Sequence, residues 1–282
     1  MTEQPLDKET DGAVMAELFD AIGFKVTDED SYNLLVECVE NHGQRSRAER
    51  ASAALHGRCW KLGDGLEVWS IIYEQDGQWY YADCRPAFRS RYVRHVLPWE
   101  LIEYEEDGEA IVRGFLEGEA EIAFELQNIT EINQSLFRQP YLHVALAGLA
   151  YVARIQPQPS STPSISGPAF LFEPAEQTEA GSDEFCENDY LISGRVLAWR
   201  EIRNPVTSTD LVWMHVDTES ARIEILVNRQ ALDGEPKVGG WLTANVWLQG
   251  YVLEEAEISA RYEGVDLDYE TGDFWGRLKR DN

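Results

Sequence analysis

The chain has 282 residues, of which 44% are hydrophobic and 11% aromatic, so we expect a packed core rather than global disorder. Its formal net charge is −27, from 51 acidic and 24 basic residues. This charge repels phosphate backbones, which disfavours nucleic acid and favours a basic protein as the partner. The N-terminus lacks a signal-peptide pattern, and no run approaches the roughly 18 apolar residues that span a bilayer. We therefore expect a cytoplasmic protein without a membrane partner.

The N-terminal part of the chain is predicted to be helical. Residues 1–12 are polar and read as a disordered tail, and the segment 13–56 follows it as a helical segment. Apolar residues recur at helical spacing before Gly43, which is expected to end a helix. Ser46 with Glu49 resembles a capping box and predicts one more helix after that glycine.

From residue 57 onward the hydrophobic pattern has a period of two, which predicts strands. Residues 57–155 are predicted to form a first β domain with an inserted β-meander at about 99–126. In the last meander strand, Ile122, Phe124 and Leu126 alternate with more polar residues, as in a half-buried strand.

A proline-rich and acidic stretch separates two β-rich parts of the chain. Residues 156–189 begin with four prolines in a Gln, Ser and Thr context and continue with acidic residues, so they are predicted to be a linker. Residues 190–282 are predicted to form a second β domain with a C-terminal tail. Aromatic residues in that tail predict that it docks on the body of the protein.

The two β domains can be aligned as a distant internal repeat. The order of matches and the strand alternation predict two OB-like β-barrel halves after an N-terminal helical segment, an α+β protein that is mostly β. A β-sandwich and two SH3-like barrels are the alternative folds. The matched pairs are Gly57-Arg58 with Gly194-Arg195, Val68-Trp69 with Val212-Trp213, and Tyr151-Val152 with Tyr251-Val252.

One segment runs against the global charge and supplies the candidate ligand-binding residues. Between Cys84 and His95 the chain has four arginines, interleaved aromatic residues and no acid. Such a segment binds an anion, a nucleic acid strand or an acidic peptide, unless its arginines pair with the protein's own carboxylates. Tryptophans on strands form either a stacking platform or part of the core. The candidate residues are Arg85, Arg89, Arg91, Tyr92 and Arg94, together with Trp69 and Trp213.

The sequence predicts no catalytic residue, metal ligand or cofactor. It has no GxSxG, GxGxxG or GxxxxGK motif and no CxxC pair, and its many neighbouring acids single out no catalytic pair. Three hypotheses of function remain. The first is a non-enzymatic protein-interaction module that binds a basic partner. The second is an OB-like protein that binds an oligosaccharide or a single-stranded nucleic acid through residues 85–95. The third is an enzyme with a cleft between the two halves.

Overall fold

A computed structural model describes residues 18–116, 120–156, 163–166, 188–218 and 221–254 of the chain. These residues form one α-helix near the N-terminus and two β-sheets, so the protein is mostly β, as predicted. The elements are α1 (Glu29–His42), β1 (Gln44–Glu49), β2 (Ala54–Gly63), β3 (Leu66–Gln75), β4 (Gln78–Phe88), β5 (Val93–Tyr104), β6 (Glu109–Leu116), β7 (Ala120–Leu126), β8 (Leu142–Gln156), β9 (Ser164–Ser166), β10 (Asp189–Arg203), β11 (Asp210–Asp217), β12 (Arg222–Asn228), β13 (Leu232–Asp233) and β14 (Trp241–Leu253).

Several predicted segments fall outside this part of the chain. They are the tail over 1–12, most of the linker over 156–189 and the C-terminal tail after residue 254. The predictions for these segments stay predictions.

Helix α1 begins with a complete capping box and ends where the sequence predicts. The backbone N–H of Ser31 donates to Oδ1 of Asp28 at 2.8 Å, and the Ser31 side chain accepts from the backbone of Asp28. Leu35 and Val39 form its buried face, and Gly43 is the C-cap.

The prediction of a further helix after Gly43 is wrong, because residues 44–49 form strand β1. Ser46 donates to or accepts from the Thr130 hydroxyl at 2.7 Å instead of capping a helix, and Ala48 is the buried member of an alternating pattern. Before α1, the described part of the predicted helical segment has only a 3-10 turn at Asp20–Ile22. The helical segment is therefore shorter than expected.

The smaller sheet has four antiparallel strands in the order β1-β2-β3-β4. A two-residue turn at Asp76 and Gly77 joins β3 to β4, with φ of 54° and 75°, as the Asp-Gly dipeptide favours. Helix α1 contacts β2 and β3, and Glu40 on that helix pairs with Arg58 at 2.9 Å. Strands β1 and β4 are the edges of this sheet.

The larger sheet has ten strands and is organised around β8 and β14. These two long strands pair antiparallel over almost their full lengths. Strand β8 also pairs with β5 and, in parallel, with β12, whereas β14 also pairs with β10 and, in parallel, with β7. The two strands are therefore in equivalent positions.

This arrangement differs from the repeat expected from the sequence. The alignment matched strands of residues 57–84 with β10 to β12 and treated the meander as an insertion. Instead, β2 to β4 lie in the smaller sheet, and the meander β5-β6-β7 is bonded to β8 and β14 within the larger sheet. The meander therefore corresponds in strand pairing to β10-β11-β12. The match of the two long strands, Tyr151-Val152 with Tyr251-Val252, agrees with their equivalent positions.

The protein has a main core inside the larger sheet and a second core between its layers. The main core contains Val112 and Phe124 of the meander with Met214 and Val246 of the second half. In the second core, residues of the small sheet, of α1 and of the turn at Asp20–Ile22 cover Leu149, Leu211 and Leu226 of the larger sheet. The connection from β4 to β5 thus passes from one layer to the other, beside β11 and β12.

No helix among the described residues combines the length and the apolar character that crossing a membrane requires.

Candidate ligand-binding site

Residues 89–92 connect the two layers and are hydrogen-bonded to both. The N–H of Arg89 donates to the carbonyl oxygen of Gly65 at 2.8 Å, and Ser90 is buried. The N–H of Tyr92 donates to the Ser90 hydroxyl at 3.1 Å. The N–H of Arg91 donates to Oε2 of Glu224 at 3.2 Å. These bonds fix the backbone from which Arg91 and Tyr92 project.

Two buried polar side chains lie beneath this connection. His215 on β11 and Glu224 on β12 are directly opposite each other in the antiparallel register, so their side chains share one face of the sheet. His215 is 6% exposed and Glu224 is fully buried. Nε2 of His215 and Oε1 of Glu224 both lack a hydrogen-bond partner among the described residues. Such buried, unpaired atoms are uncommon in folded proteins.

The imidazole of His215 is covered by the ring of Tyr92. The two ring centroids are 4.2 Å apart and the planes differ by 20°. Burial lowers the pKa of His215 from its usual value of 6.5, and the nearby charges of Arg94 and Arg222 lower it further, while Asp217 opposes them. Burial and the nearby positive charges thus both favour the neutral form of the imidazole.

The carboxyl group of Glu224 is shifted in the opposite sense. Burial raises its pKa from the usual 4.5. The Trp213 indole, the Arg91 backbone and charge, and Ser90 partly offset that rise. None of these groups makes a hydrogen bond of good geometry to Oε1, which stays unpaired among the described residues.

Five arginines, from three strands and from the connection before β5, surround this pair, and we call them the arginine surface. Asp64 is shared by Arg91 at 4.0 Å and Arg200 at 3.0 Å. Asp217 is shared in the same way by Arg195 at 3.6 Å and Arg222 at 3.9 Å. Among the described residues the guanidinium groups here outnumber the carboxylates, so the local charge is positive in a strongly acidic protein. The members are Arg91, Arg94, Arg195, Arg200 and Arg222.

Arg94 and Trp213 border the stacked rings. Both Nε and Nη2 of Arg94 donate to the backbone carbonyl oxygen of Arg222, at 3.1 and 2.9 Å. The guanidinium of Arg200 lies over the Trp213 indole, 5.5 Å from the ring centroid. Tyr92 is 45% exposed. An aromatic ring and several guanidinium groups are therefore accessible side by side.

Arg85, another predicted ligand residue, lies elsewhere and is buried. Its Nη1 is 2.7 Å from Oε1 of Glu125 and 3.7 Å from Oδ2 of Asp83. The pKa of Glu125 is still raised to about 8, because the effect of burial exceeds that of Arg85. This ion pair joins the small sheet to β7 and leaves Arg85 without access to a ligand in solution.

Arg89 and Trp69 also face the interior. The Arg89 guanidinium lies over the Tyr251 ring, 3.8 Å from its centroid. Trp69 is fully buried, and its Nε1 donates to Oε2 of Glu67 at 3.1 Å. Burial raises the pKa of Glu67, and the charge of Arg89 opposes that rise. Arg89 is therefore paired within the protein, and Trp69 is part of the core.

The structure thus divides the predicted set in two. Arg91, Tyr92, Arg94 and Trp213 come together at the arginine surface, while the other three lie in the interior. Sequence reasoning missed the remaining members of the site because they are on β10 to β12, more than 100 positions from Arg91 in sequence. The alternation along β11 puts Trp213, His215 and Asp217 on one face, and this was the signal that could have found them. From the sequence alone, a histidine in an apolar strand, such as His215, is interpreted as a satisfied core or barrel-surface residue.

Among the described residues, no group of three or more His, Cys, Asp or Glu is placed to hold a metal ion.

The sequence comparisons give one partial match. Residues 184–250 match a family model described as "Domain of unknown function, E. rectale Gene description (DUF3881)". No curated protein and no solved structure matches the chain. The matched range contains Trp213, His215 and Glu224 but not Arg91, Tyr92 or Arg94. Residues 184–250, which contain the buried pair of the candidate site, are thus similar to that family of unknown function.

Proposed function

We propose that this chain is a ligand-binding protein that holds a small anionic ligand at the arginine surface, against Tyr92. The observation that carries this proposal is a cationic, aromatic surface directly over two buried polar groups with unpaired atoms. Arginine guanidinium groups recognise phosphate and carboxylate oxygens through paired hydrogen bonds. The exposed part of Tyr92 offers contact to an aromatic or sugar part of the same ligand.

A small ligand fits this chain better than a long polyanion. The net charge of −27 repels an extended phosphate backbone outside the arginine surface. A small ligand meets only the local positive charge. This argument disfavours a single-stranded nucleic acid, while the hypothesis of an oligosaccharide stays a prediction.

Calorimetric titration with inorganic pyrophosphate tests this proposal. We expect the Arg94→Ala and Arg222→Ala variants to bind pyrophosphate about tenfold more weakly than the unchanged protein, because each loses a charge-assisted hydrogen bond. Affinity in the unchanged protein should fall as salt is added.

Arg203→Ala is the matched control. Arg203 is an exposed arginine at the end of β10, and it lies 3.6 Å from Asp210 rather than at the arginine surface. We expect this variant to bind as the unchanged protein does. Equal losses in all three variants would mean that the ligand senses only the overall charge, and the proposal would be wrong.

A basic protein partner is the second candidate function. The observation that favours it is the distribution of charge, because more than half of the excess negative charge belongs to acidic sequence outside the described residues. Within the meander, Glu100 and Glu103 already pair with Arg113 and Arg50. Recovery of one basic protein from a lysate at low salt, and its loss at high salt, would support this function. The hypothesis of an enzyme stays a prediction, with no reaction assigned.

We further propose that the larger sheet comprises two OB-like units that share β8 and β14. In support, β10, β11 and β12 pair in that order, β12 pairs with β8, β8 pairs with β14, and β14 pairs with β10. The meander β5-β6-β7 contacts the same two strands with their roles exchanged, because β7 pairs with β14 and β5 pairs with β8. Shared strands should make the two units unfold together, with the slowest amide exchange in β8 and β14. Two separate unfolding transitions would contradict this proposal.

A further inference from the structure

The first half of β4 leaves an edge of the small sheet open. Strand β3 is its only strand neighbour among the described residues. The second half is occupied, because Gln249 accepts from the N–H of Phe88 at 3.2 Å and donates to the carbonyl oxygen of Pro86 at 3.1 Å. From Gln78 to Asp83, no backbone group bonds to an element other than β3 in the described part of the chain. An edge of this kind is able to pair with an additional strand.

The two edges of the small sheet differ in chemistry. Strand β1 carries Arg45, Arg47 and Glu49 within six residues, and charged side chains discourage pairing at an edge. Strand β4 presents three consecutive aromatic residues, Trp79, Tyr80 and Tyr81, which are 58%, 39% and 47% exposed. The charges of β1 therefore discourage a further strand at that edge. The aromatic side chains of β4 favour one, although the register shift that leaves Ala82 without a partner on β3 interrupts this edge near its end.

The aromatic side chains of β4 are ordered by their neighbours on both faces of the sheet. Trp79 stacks on His56, with the ring centroids 4.3 Å apart. Tyr80 stacks on Tyr73 at 4.8 Å. The Tyr81 hydroxyl is 2.7 Å from the hydroxyl of Tyr32 on α1. A surface whose side chains are already ordered loses little entropy when a partner binds.

Carboxylates flank this edge on both faces. On the face of Trp79, Glu74 pairs with His56 at 2.9 Å. On the other face, burial is the largest cause of the raised pKa of Tyr73. The nearby charges of Glu106 and Asp107 raise this pKa further. The turn before β4 adds Asp76. An incoming strand with basic side chains would therefore meet opposite charge whichever face those side chains point to.

We propose that residues Gln78 to Asp83 bind an extended, Lys- or Arg-rich segment of another protein by strand addition. Main-chain hydrogen bonds to β4 would supply affinity, and the aromatic rings with the flanking carboxylates would select apolar and basic side chains. This inference is independent of the anion site, which lies on the other layer and has the opposite charge. It gives the second candidate function a specific docking place.

A labelled octapeptide of alternating Lys and Val tests the proposal by fluorescence anisotropy with the full chain. We expect saturable binding, and slower amide hydrogen exchange in β4 from residue 78 to 83 when the peptide is bound. A peptide of equal charge with Pro in place of Val lacks half of the backbone donors. It should bind at least tenfold more weakly.

Trp79→Lys is the decisive variant, because it places on β4 the kind of charge that β1 already has. It should weaken binding of the Lys-Val peptide about tenfold or more, whereas Trp99→Lys, at a similarly exposed tryptophan on β5, should not. Arg94→Ala should also leave peptide binding unchanged, which separates this inference from the anion site.

Equal binding of the Lys-Val and Lys-Pro peptides would show attraction by net charge alone and would overturn the proposal. Protection of the same amides by self-association, with no effect of peptide, would assign the edge to a second copy of the chain and overturn it too.

Discussion

His215 and Glu224 lie opposite each other on adjacent strands, and each has one buried atom without a hydrogen-bond partner among the described residues. Leaving a buried polar atom unpaired costs about 1–3 kcal/mol. A ligand group that pairs with either atom would recover part of that cost. If an anion binds at the arginine surface as we propose, its binding would be coupled to the protonation of His215.

The first prediction is that anion affinity rises as pH falls. Burial, Arg94 and Arg222 lower the pKa of His215 from 6.5, with Asp217 opposing. A bound anion stabilises the protonated imidazole and raises this pKa, so binding takes up a proton. Pyrophosphate affinity should therefore increase as pH falls towards the lowered pKa of His215 in the free protein and level off below it. Calorimetry in buffers of different ionisation enthalpy measures the proton uptake.

His215→Asn is the control for this prediction, because it removes the titrating group and keeps a polar side chain. Pyrophosphate itself changes protonation near neutral pH, and only the difference between the two proteins belongs to His215. The same pH dependence in both proteins would rule out a role for the histidine in binding.

Local pattern was a good guide to the strands but a poor guide to their partners. The period of two predicted the last meander strand, and in β7 Ile122, Phe124 and Leu126 are buried as that pattern requires. The small sheet and the meander have the same alternation, and alternation does not say which strands pair. The repeat alignment for that reason assigned the wrong strands to the first half.

The candidate site was predictable to the extent that it is local. Arg91, Tyr92 and Arg94 stand out in the sequence because a basic run is rare in so acidic a chain. Arg85 belongs to the same run but pairs with Glu125, which is 40 positions away and becomes its neighbour only when β7 packs against the small sheet. Composition could not distinguish the exposed arginines from the buried ones.

The second prediction is that Glu125→Leu strongly destabilises the protein. The side chains of Arg85 and Glu125 are 2% and 6% exposed, and the substitution leaves the guanidinium charge in the interior without its carboxylate. We expect a loss of about 3–5 kcal/mol in the free energy of unfolding. Urea denaturation at pH 9, where the Glu125 carboxyl with its pKa of about 8 is ionised, measures this loss. The double variant Arg85→Met with Glu125→Leu should recover most of it, because no unpaired charge remains.

Glu100→Leu provides the comparison. Glu100 pairs with Arg113 at 2.6 Å, but both side chains retain contact with solvent. Removal of such a pair is expected to cost about 0–1 kcal/mol. A similar cost for Glu100→Leu and Glu125→Leu would mean that the Arg85 pair is not desolvated as described.

The third prediction concerns the stability of the protein at different pH. Burial raises the pKa of Glu109 to about 7, of Glu125 to about 8 and of Asp189 to about 7. These carboxyls hold their protons to higher pH in the folded protein than in the unfolded chain. Their contribution to stability is complete below the usual values of 3.8 to 4.5 and is lost as pH rises towards 8.

Thermal unfolding between pH 4 and pH 8 checks this sign. Replacement of Glu109 by Gln removes one of the three titrations, so the decrease in Tm towards pH 8 should be smaller than in the unchanged protein. Glu201→Gln, at an exposed position on β10, should leave the decrease as it is. A Tm that rises from pH 5 to pH 8 equally in all three proteins would contradict the prediction.

The fourth prediction tests the junction of β14 with the meander. A Cβ atom at Gly250 would lie 2.2 Å from Cδ2 and 2.3 Å from Cε2 of Phe124, a ring that is fully buried in the main core. Gly250→Ala should therefore force Phe124 to move and cost about 1–3 kcal/mol in the free energy of unfolding.

Gly148→Ala is the equivalent substitution on β8 and serves as the control. The atom nearest to a Cβ at Gly148 is Cβ of Val246, at 3.1 Å. There the smaller clash is offset by the lower chain entropy of alanine, about 0.4–1 kcal/mol. Denaturation in guanidinium chloride should show a large loss for Gly250→Ala and little change for Gly148→Ala, and the reverse order would mean that β14 and β7 do not approach as closely as this packing requires.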